Sequence, residues 1–235
     1  IVDVDLTQPG KQITLRAAIQ ESNQLPGAGA ISLPAGTFTL ALSGPGEDLS
    51  ATGDLDIRQD LRIFGQGAGQ TVIDADGLER VFQIFGGVTV HISDVTITGG
   101  AVVGSEDGGG IRSGGDLTLE NVVVSNNSTL DSGGGINTSG SLSLIGSVVI
   151  GNSAASDGGG IRNTGTLNGL NSEFSENFSG VDGGALVNIA QRDAVFNNVT
   201  FSGNSSGHDG GAVHNEAVLL LNSATIVHNN AENFA

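Results

Sequence analysis

Residues 133–161 read GGGINTSGSLSLIGSVVIGNSAASDGGGI, a stretch that begins and ends with the same motif of two glycines, a Gly or Ala, and an aliphatic residue. The motif starts at five places along the chain: Gly108, Gly133, Gly158, Gly183 and Gly210. Its spacings are 25, 25, 25 and 27 residues. A fixed period of about 20 to 50 residues indicates a chain built from stacked structural repeats.

Short segments of alternating hydrophobicity lie between the motifs, most clearly Leu117-Thr118-Leu119 and Leu142-Ser143-Leu144. Alternation with a period of two indicates β-strand, and the frequent Gly, Asn and Ser residues leave no room for long helices. A unit this small cannot fold alone, so each strand is expected to pair in parallel with its equivalent in the next repeat. We therefore predict an all-β, right-handed parallel β-helix, a pectate-lyase-like solenoid of about seven to nine coils.

Two columns of residues recur with the repeat. The first column is asparagine: Asn127, Asn152, Asn177, Asn204 and Asn229. Because stacked strands lie about 4.8 Å apart, an inward amide can hydrogen-bond the amide of the next coil, and we predict a structural ladder rather than a ligand site. The second column stands three residues earlier and predicts an apolar stack: Val124, Val149, Phe174, Phe201 and Ile226.

The chain divides by composition near residue 80. We expect residues 1–80 to form an N-terminal cap and the first, irregular coils, and residues 81–235 to form regular coils of about 25 residues, truncated at the C-terminus. Upstream, residues 90–97 align with the alternating block at an offset of 27, and Leu55–Ile57 and residues 61–63 are weaker candidates. A helix is predicted over Leu15–Ser22 with Thr14 as its N-cap, covering the first coil.

Composition excludes several classes of function. The chain has 8 basic and 25 acidic side chains and a net charge of -17, so nucleic acid is not an expected partner. No apolar run approaches the roughly 20 residues of a membrane-spanning helix. The absence of Cys excludes disulfides and thiolate metal sites.

An acidic column stands just before the Gly motif and offers a candidate calcium site. Its members are Asp107, Asp157, Asp182 and Asp209, and in the second coil Ser132 takes the position with Asp131 beside it. A cation midway between carboxylates of stacked coils would lie about 2.4 Å from each, a distance that suits Ca²⁺. The alternative is that each Asp forms an Asx-turn before glycine. We expect no other cofactor.

The repeat resembles a known class of bacterial proteins. The Gly-Gly-(Ala/Gly)-aliphatic motif, together with Phe174-Ser175-Glu176-Asn177 and Phe201-Ser202-Gly203-Asn204, resembles the repeats of polymorphic outer-membrane proteins and related surface β-helix proteins. The segment Thr14-Leu15-Arg16-Ala17-Ala18-Ile19 is similar to the Ser-Leu-Arg-Glu-Ala-Ile element that opens many secreted β-helix domains. The resemblance implies a bacterial cell-surface or extracellular location and a role in adhesion or envelope architecture, with no shared catalytic residues.

Three functions stay open at this point. The first is a non-catalytic structural or adhesive module that binds a host or neighbour-cell glycan or protein. The second is a polysaccharide-active enzyme, a lyase or glycoside hydrolase, using carboxylates between Glu47 and Asp76 with Arg58, Arg62 or Arg80 to hold an acidic sugar. The third is a filament subunit that associates with other copies of itself through an uncovered strand edge.

Few residues outside the acidic column are candidates for chemistry. One outward column either recognises a partner or is a solubilising face: Arg112, Asn137, Arg162, Val187 and His214. His208 and Asp209 are the nearest acid–base pair, but adjacent residues seldom face each other. His91, His214 and His228 show no metal-ligand spacing and are expected at the surface.

Overall fold

The chain folds as a parallel β-helix closed at one end by a short helix. The structure, a computed structural model, describes residues 14–25, 27–44, 46, 48–189 and 193–232. Every strand pairing within these residues is parallel, and neighbouring coils pair in register one repeat apart, as Ile111 with Ile136 and Ile136 with Ile161. The predicted fold class is confirmed.

The strands form three sheets that run along the stack. Sheet 1 has 14 strands and bends once in each coil, so it has two rows of strands, and its last two strands, Ala194–Ser202 and Leu219–Val227, belong to both rows. The first row contains Gly29–Ser32, Leu61–Phe64, Thr89–Ser93, Asp116–Glu120, Ser141–Ile145 and Thr166–Leu170. The second row contains Gly36–Thr39, Thr71–Asp74, Thr96–Thr98, Val123–Ser125, Val148–Ile150 and Glu173–Ser175.

Sheets 2 and 3 complete each coil. Sheet 2 has seven strands: Leu55–Ile57, Phe82–Ile84, Ile111–Ser113, Ile136–Thr138, Ile161–Asn163, Leu186–Asn188 and Val213–Asn215. Sheet 3 has six: Ala101–Val102, Ser128–Thr129, Ser153–Ala154, Phe178–Ser179, Ser205–Ser206 and Asn230–Ala231. Each repeat thus passes through sheet 2, both rows of sheet 1 and sheet 3 before the Gly motif starts the next coil.

The predicted alignment of upstream segments with the alternating block of the repeat is correct for residues 90–97 and 61–63. It is wrong for Leu55–Ile57. Val90 pairs with Leu117 and with Leu61 in sheet 1. Leu55 instead pairs with Phe82 in sheet 2. Alternation alone could not distinguish these rows, because short strands of both sheets place alternate side chains in the core. The sheets continue across residue 80, and the compositional division there stays a prediction.

Left-handed backbone turns the chain at the corner between sheets 3 and 2. The first glycine of every motif has a positive φ, from 64° at Gly183 to 75° at Gly108. The second glycine serves close packing, because a Cβ on Gly109 would collide with the carbonyl oxygens of Gly134 and Ser128. Glycine avoids both penalties, which explains why the motif recurs.

The core runs along the inside of the coils. The apolar column described above lies in it, and Phe174 stacks on Phe201 with ring centroids 4.8 Å apart. Phe196 packs edge-on against both rings, at 5.5 and 5.6 Å. Ile226, in the last described coil, is the exception, with 51% of its surface exposed. Self-assembly through this strand stays a prediction.

The predicted helix is confirmed at Leu15–Ser22, where the Thr14 Oγ1 accepts a hydrogen bond from the Ala17 N–H at 3.0 Å. Leu15 and Ile19 are buried against the first coil. The buried Arg16 guanidinium donates to the Ser50 and Asp54 carbonyls. The helix therefore covers apolar surface and holds a loop. No helix in the described part of the chain has the length and apolar character needed to cross a bilayer.

Candidate functional site

The predicted asparagine column forms a continuous chain of hydrogen bonds. Nδ2 of each Asn donates to Oδ1 of its equivalent one coil on, at 3.0, 3.0, 2.9 and 2.8 Å from Asn127 to Asn229. The backbone N–H of each also donates to that oxygen, as Asn152 does to Asn177. The second proton of each amide goes to a backbone carbonyl, such as Val149 for Asn177. These amides are fully used within the fold, so they leave no groups for a ligand.

A second asparagine ladder was not predicted. Asn163 Nδ2 donates to Asn188 Oδ1 at 2.7 Å, and Asn188 Nδ2 donates to Asn215 Oδ1 at 2.8 Å. Its signal in the sequence is an Asn two residues after the aliphatic residue of the motif. The signal is weak because Ser113 and Thr138 occupy the same position in earlier coils.

The acidic column bonds to the backbone of the following coil. Asp182 Oδ1 accepts the N–H of Asp209 at 2.8 Å, and Asp157 Oδ1 accepts the N–H of Asp182 at 3.3 Å. Asp107 Oδ1 likewise accepts the N–H of Ser132 at 3.2 Å. Asp131 lies beside the column and accepts from the Ser132 hydroxyl. One oxygen each of Asp107, Asp157 and Asp182 therefore has a structural role, and calcium binding stays a prediction.

A groove of about 510 Å³ lies on the outer face of sheet 2. Its floor is formed by one outward residue from each of four successive strands: Gln83, Arg112, Asn137 and Arg162. One wall is acidic and contains Asp54, Glu79, Glu106 and Asp107. The opposite wall contains Phe85, Gly86, Gly114, Ser139 and Thr164. The structure thus brings part of the predicted outward column together in one concave surface.

Two hydrogen-bond donors in this groove have no partner among the described residues. Asn137 is only 7% exposed, and its Nδ2 is buried and unbonded. Arg162 Nε is also buried and unbonded, and its Nη1 lies 3.8 Å from Asp107. A buried polar group without a partner costs about 1 to 3 kcal/mol, so such groups mark places where a bound molecule can supply the bond.

Arg80 closes the end of the groove nearest the helix. It is 1% exposed and forms ion pairs with Asp54 at 2.7 Å and Glu106 at 3.0 Å. Its Nε donates to the Gly108 carbonyl at 3.0 Å. Arg80 therefore ties together three coils, and of the three arginines that the enzyme hypothesis offers for holding a sugar, it is the one committed to ion pairs within the fold.

Three carboxyl groups of the acidic wall are shifted toward their protonated form. Burial raises the pKa of Asp54, although the Arg80 charge opposes the shift. Burial and then the neighbouring Asp54 charge raise the pKa of Glu79. Burial also raises the pKa of Asp107, against a hydrogen bond from Ser132. The carboxyl groups of this wall therefore hold their protons more tightly than exposed carboxyl groups do.

The repeat is similar to a known sequence family. Residues 198–216 match the family model of the Chlamydia polymorphic membrane protein repeat. The matched residues include Phe201, Asn204 and the Gly210 motif, which carry the predicted resemblance. The match and the parallel β-helix together confirm the resemblance to β-helix proteins of the polymorphic membrane protein type. No curated protein and no solved structure matches the chain.

Residues 198–216 also carry most of a His/Asp cluster, defined as Asp182, His208, Asp209 and His214. His208 Nδ1 lies 3.2 Å from both Asp182 Oδ1 and Asp209 Oδ2. His214 Nδ1 lies 3.7 Å from Asp182 Oδ2. Contrary to expectation, the adjacent His208 and Asp209 face each other, because both approach the carboxylate of the preceding coil. The proximity of His214 could not be read from spacing within one repeat.

Proposed function

We propose that this chain is a non-catalytic module of a bacterial cell-surface protein, and that its groove on sheet 2 binds an acidic glycan. The observation that carries the proposal is the pair of buried, unbonded donors in the groove, Asn137 Nδ2 and Arg162 Nε. The surface location rests on the similarity of residues 198–216 to the polymorphic membrane protein repeat. Antibody labelling of intact and lysed source cells tests that location.

The chemistry of the groove floor suits a carboxylate or sulfate on a sugar. Arg112, Asn137 and Arg162 stand on consecutive paired strands, so their side chains repeat about every 4.8 Å. Guanidinium groups bind planar anions through charge-assisted hydrogen bonds, and an amide N–H binds a neighbouring oxygen. Acceptors on the acidic wall, including the Glu106 carboxylate, can receive hydroxyl protons. A sugar with one acidic group and free hydroxyls therefore suits the groove, whereas the net charge of -17 and the acidic wall disfavour a densely charged polyanion.

A rigid scaffold supports such a binding surface. The two asparagine ladders and the phenylalanine stack fix the coil spacing, and the groove floor is built on strands rather than on a loop. Binding residues on a rigid element lose little conformational entropy when a ligand arrives. The module therefore presents its donors in a fixed row.

The test is to measure binding of the purified chain to a panel of paired oligosaccharides. Each pair contains an acidic glycan and the same glycan with its carboxylates reduced to alcohols or its sulfates removed. We expect retention of acidic members and loss of retention for their neutral partners. Equal binding to both members, or binding to none, would contradict the proposal.

A polysaccharide-active enzyme is the second candidate, and the raised pKa values of Glu79 and Asp107 favour it. A raised pKa brings a carboxyl group closer to the range in which it can act as a general acid. The same panel tests this function when the samples are also assayed for new reducing ends and unsaturated products. Product from any glycan would replace the adhesive function with a catalytic one. Binding without product would support the module.

A further inference from the structure

We propose that the His/Asp cluster is a binding site for a transition-metal dication of the zinc type. The site lies on the last described coils, away from the groove, and the inference does not depend on glycan binding. Three ligand atoms lie within 4.8 Å of one another, one each from Asp182, Asp209 and His214. His208 adds a nitrogen 3.2 Å from both carboxylates. The two imidazoles therefore contact the same pair of carboxylates.

The separations suit a tetrahedral metal. A zinc ion holds nitrogen and oxygen ligands at about 2.0 to 2.1 Å, which places neighbouring ligand atoms about 3.3 Å apart. The distances from His208 Nδ1 to the two carboxylates are 3.2 Å, and that from His214 Nδ1 to Asp182 is 3.7 Å. These His-to-carboxylate distances are close to tetrahedral spacing, so Asp182, Asp209 and His214 can hold one ion, with His208 as a further donor to the same carboxylates.

The orientation of His214 fits a bound cation when the imidazole is neutral and Nε2 carries the proton. Both of its ring nitrogens face carboxylates: Nδ1 faces Asp182 at 3.7 Å, and Nε2 faces Glu216 at 3.3 Å. A neutral imidazole has one N–H and one lone pair, so when Nε2–H donates to Glu216 the Nδ1 lone pair faces another acceptor. A metal ion between His214 and Asp182 satisfies both. The bond from Glu216 is the outer support that metal-bound histidines commonly have.

The donor set selects among metals. Calcium takes six to eight oxygen ligands, whereas half of the donors here are imidazole nitrogens. Imidazole and carboxylate together suit Zn²⁺, Ni²⁺ and Cu²⁺. The site is also reachable, because the side chains of Asp182 and His214 are 21% and 23% exposed. A bound ion would join the turn at His208 and Asp209 to the preceding coil.

The test is calorimetric titration of Zn²⁺ into untagged, chelator-treated protein, with Ca²⁺ titrated in parallel. We expect about one zinc ion per chain and an affinity for Zn²⁺ at least about tenfold higher than for Ca²⁺. His208→Ala and His214→Ala should each weaken zinc binding at least about tenfold. Asp182→Asn should weaken it too, while its amide oxygen still accepts the Asp209 N–H. The melting temperature of the wild-type chain should rise with zinc concentration.

His91→Ala is the matched control. His91 also contacts a carboxylate, with Nε2 3.1 Å from Glu120, but it stands on sheet 1 outside the cluster. Its loss should leave zinc binding unchanged. The proposal is overturned if the wild-type chain binds no zinc, if it binds Ca²⁺ as tightly, or if His91→Ala weakens binding as much as His214→Ala. If His214→Ala loses its circular dichroism spectrum, the surface variant His208→Ala decides.

Discussion

Gly169 lies directly against the ring of Phe196 in the next coil, and a Cβ at Gly169 would collide with that ring. The two residues are paired in register within sheet 1, where the neighbouring coils carry Leu144 and Leu221. The Phe196 ring thus fills the space that the missing side chain of Gly169 leaves, whereas the neighbouring coils carry a leucine at this position. The core is packed across coils as well as within them.

This relationship predicts strong coupling between the two positions. Gly169→Leu should overpack the core and lower the free energy of unfolding by about 1 to 3 kcal/mol. Phe196→Leu alone should also be destabilising, because it leaves a cavity. The double variant should be more stable than the sum of the single effects predicts, as measured by urea unfolding. Gly69→Leu, at a position with open space for a Cβ, is the control and should show no coupling with Phe196→Leu.

The asparagine ladder should be most sensitive in its middle. Asn177→Ala removes the acceptor of both the Asn152 amide and the Asn152 backbone N–H. Leaving buried donors unpaired costs about 1 to 3 kcal/mol each, so a loss of about 2 kcal/mol or more in the free energy of unfolding is expected. Asn222→Ala, whose exposed amide bonds Asn197, is the control and should change stability little. Equal effects of the two substitutions would argue against a structural ladder.

Arg80 should be essential to the N-terminal coils. Arg80→Met removes the cation that is shared by Asp54 and Glu106 and leaves the buried Asp54 uncompensated. Breaking a buried ion pair from one side costs about 3 to 5 kcal/mol. Adding Asp54→Asn should recover part of that loss, because the remaining group is then neutral. Urea unfolding at neutral pH measures both values, and no recovery would show that Arg80 acts through its carbonyl contacts instead.

The acidic wall of the groove predicts a pH dependence of stability. Glu79 has a raised pKa in the folded state, so the folded chain binds its proton more tightly than the unfolded chain does. This contribution to stability is full below the ordinary pKa of a glutamate and is lost as the pH rises through the raised value. Glu79→Gln should therefore lose less stability than the wild type as the pH rises from the ordinary pKa of a glutamate through the raised value. Parallel slopes of unfolding free energy against pH would contradict the burial of this carboxyl.

The regular coils could be predicted from the sequence because the residues that define them recur at a fixed spacing. The spacing of the Gly motif and of Asn127, Asn152 and Asn177 defines the strand register directly, and Thr14 marks the start of the helix. The groove and the His/Asp cluster could not be predicted in the same way. Arg80 meets Asp54 in an irregular early coil, and His214 meets Asp182 across a repeat that is two residues longer than its neighbours. Such contacts depend on the positions that side chains reach in coils of different length, and the repeat period does not define those positions.

The most direct test of the account is titration of the best acidic oligosaccharide into the wild-type chain, Arg162→Gln and Arg62→Gln. Both variants remove one positive charge. Arg162 lies in the groove, whereas Arg62 is exposed on sheet 1, so only Arg162→Gln changes the groove. The account predicts that Arg162→Gln weakens binding at least about tenfold, the equivalent of one charge-assisted hydrogen bond, and that Arg62→Gln binds as the wild type does. Equal affinities of the two variants would contradict binding in the groove.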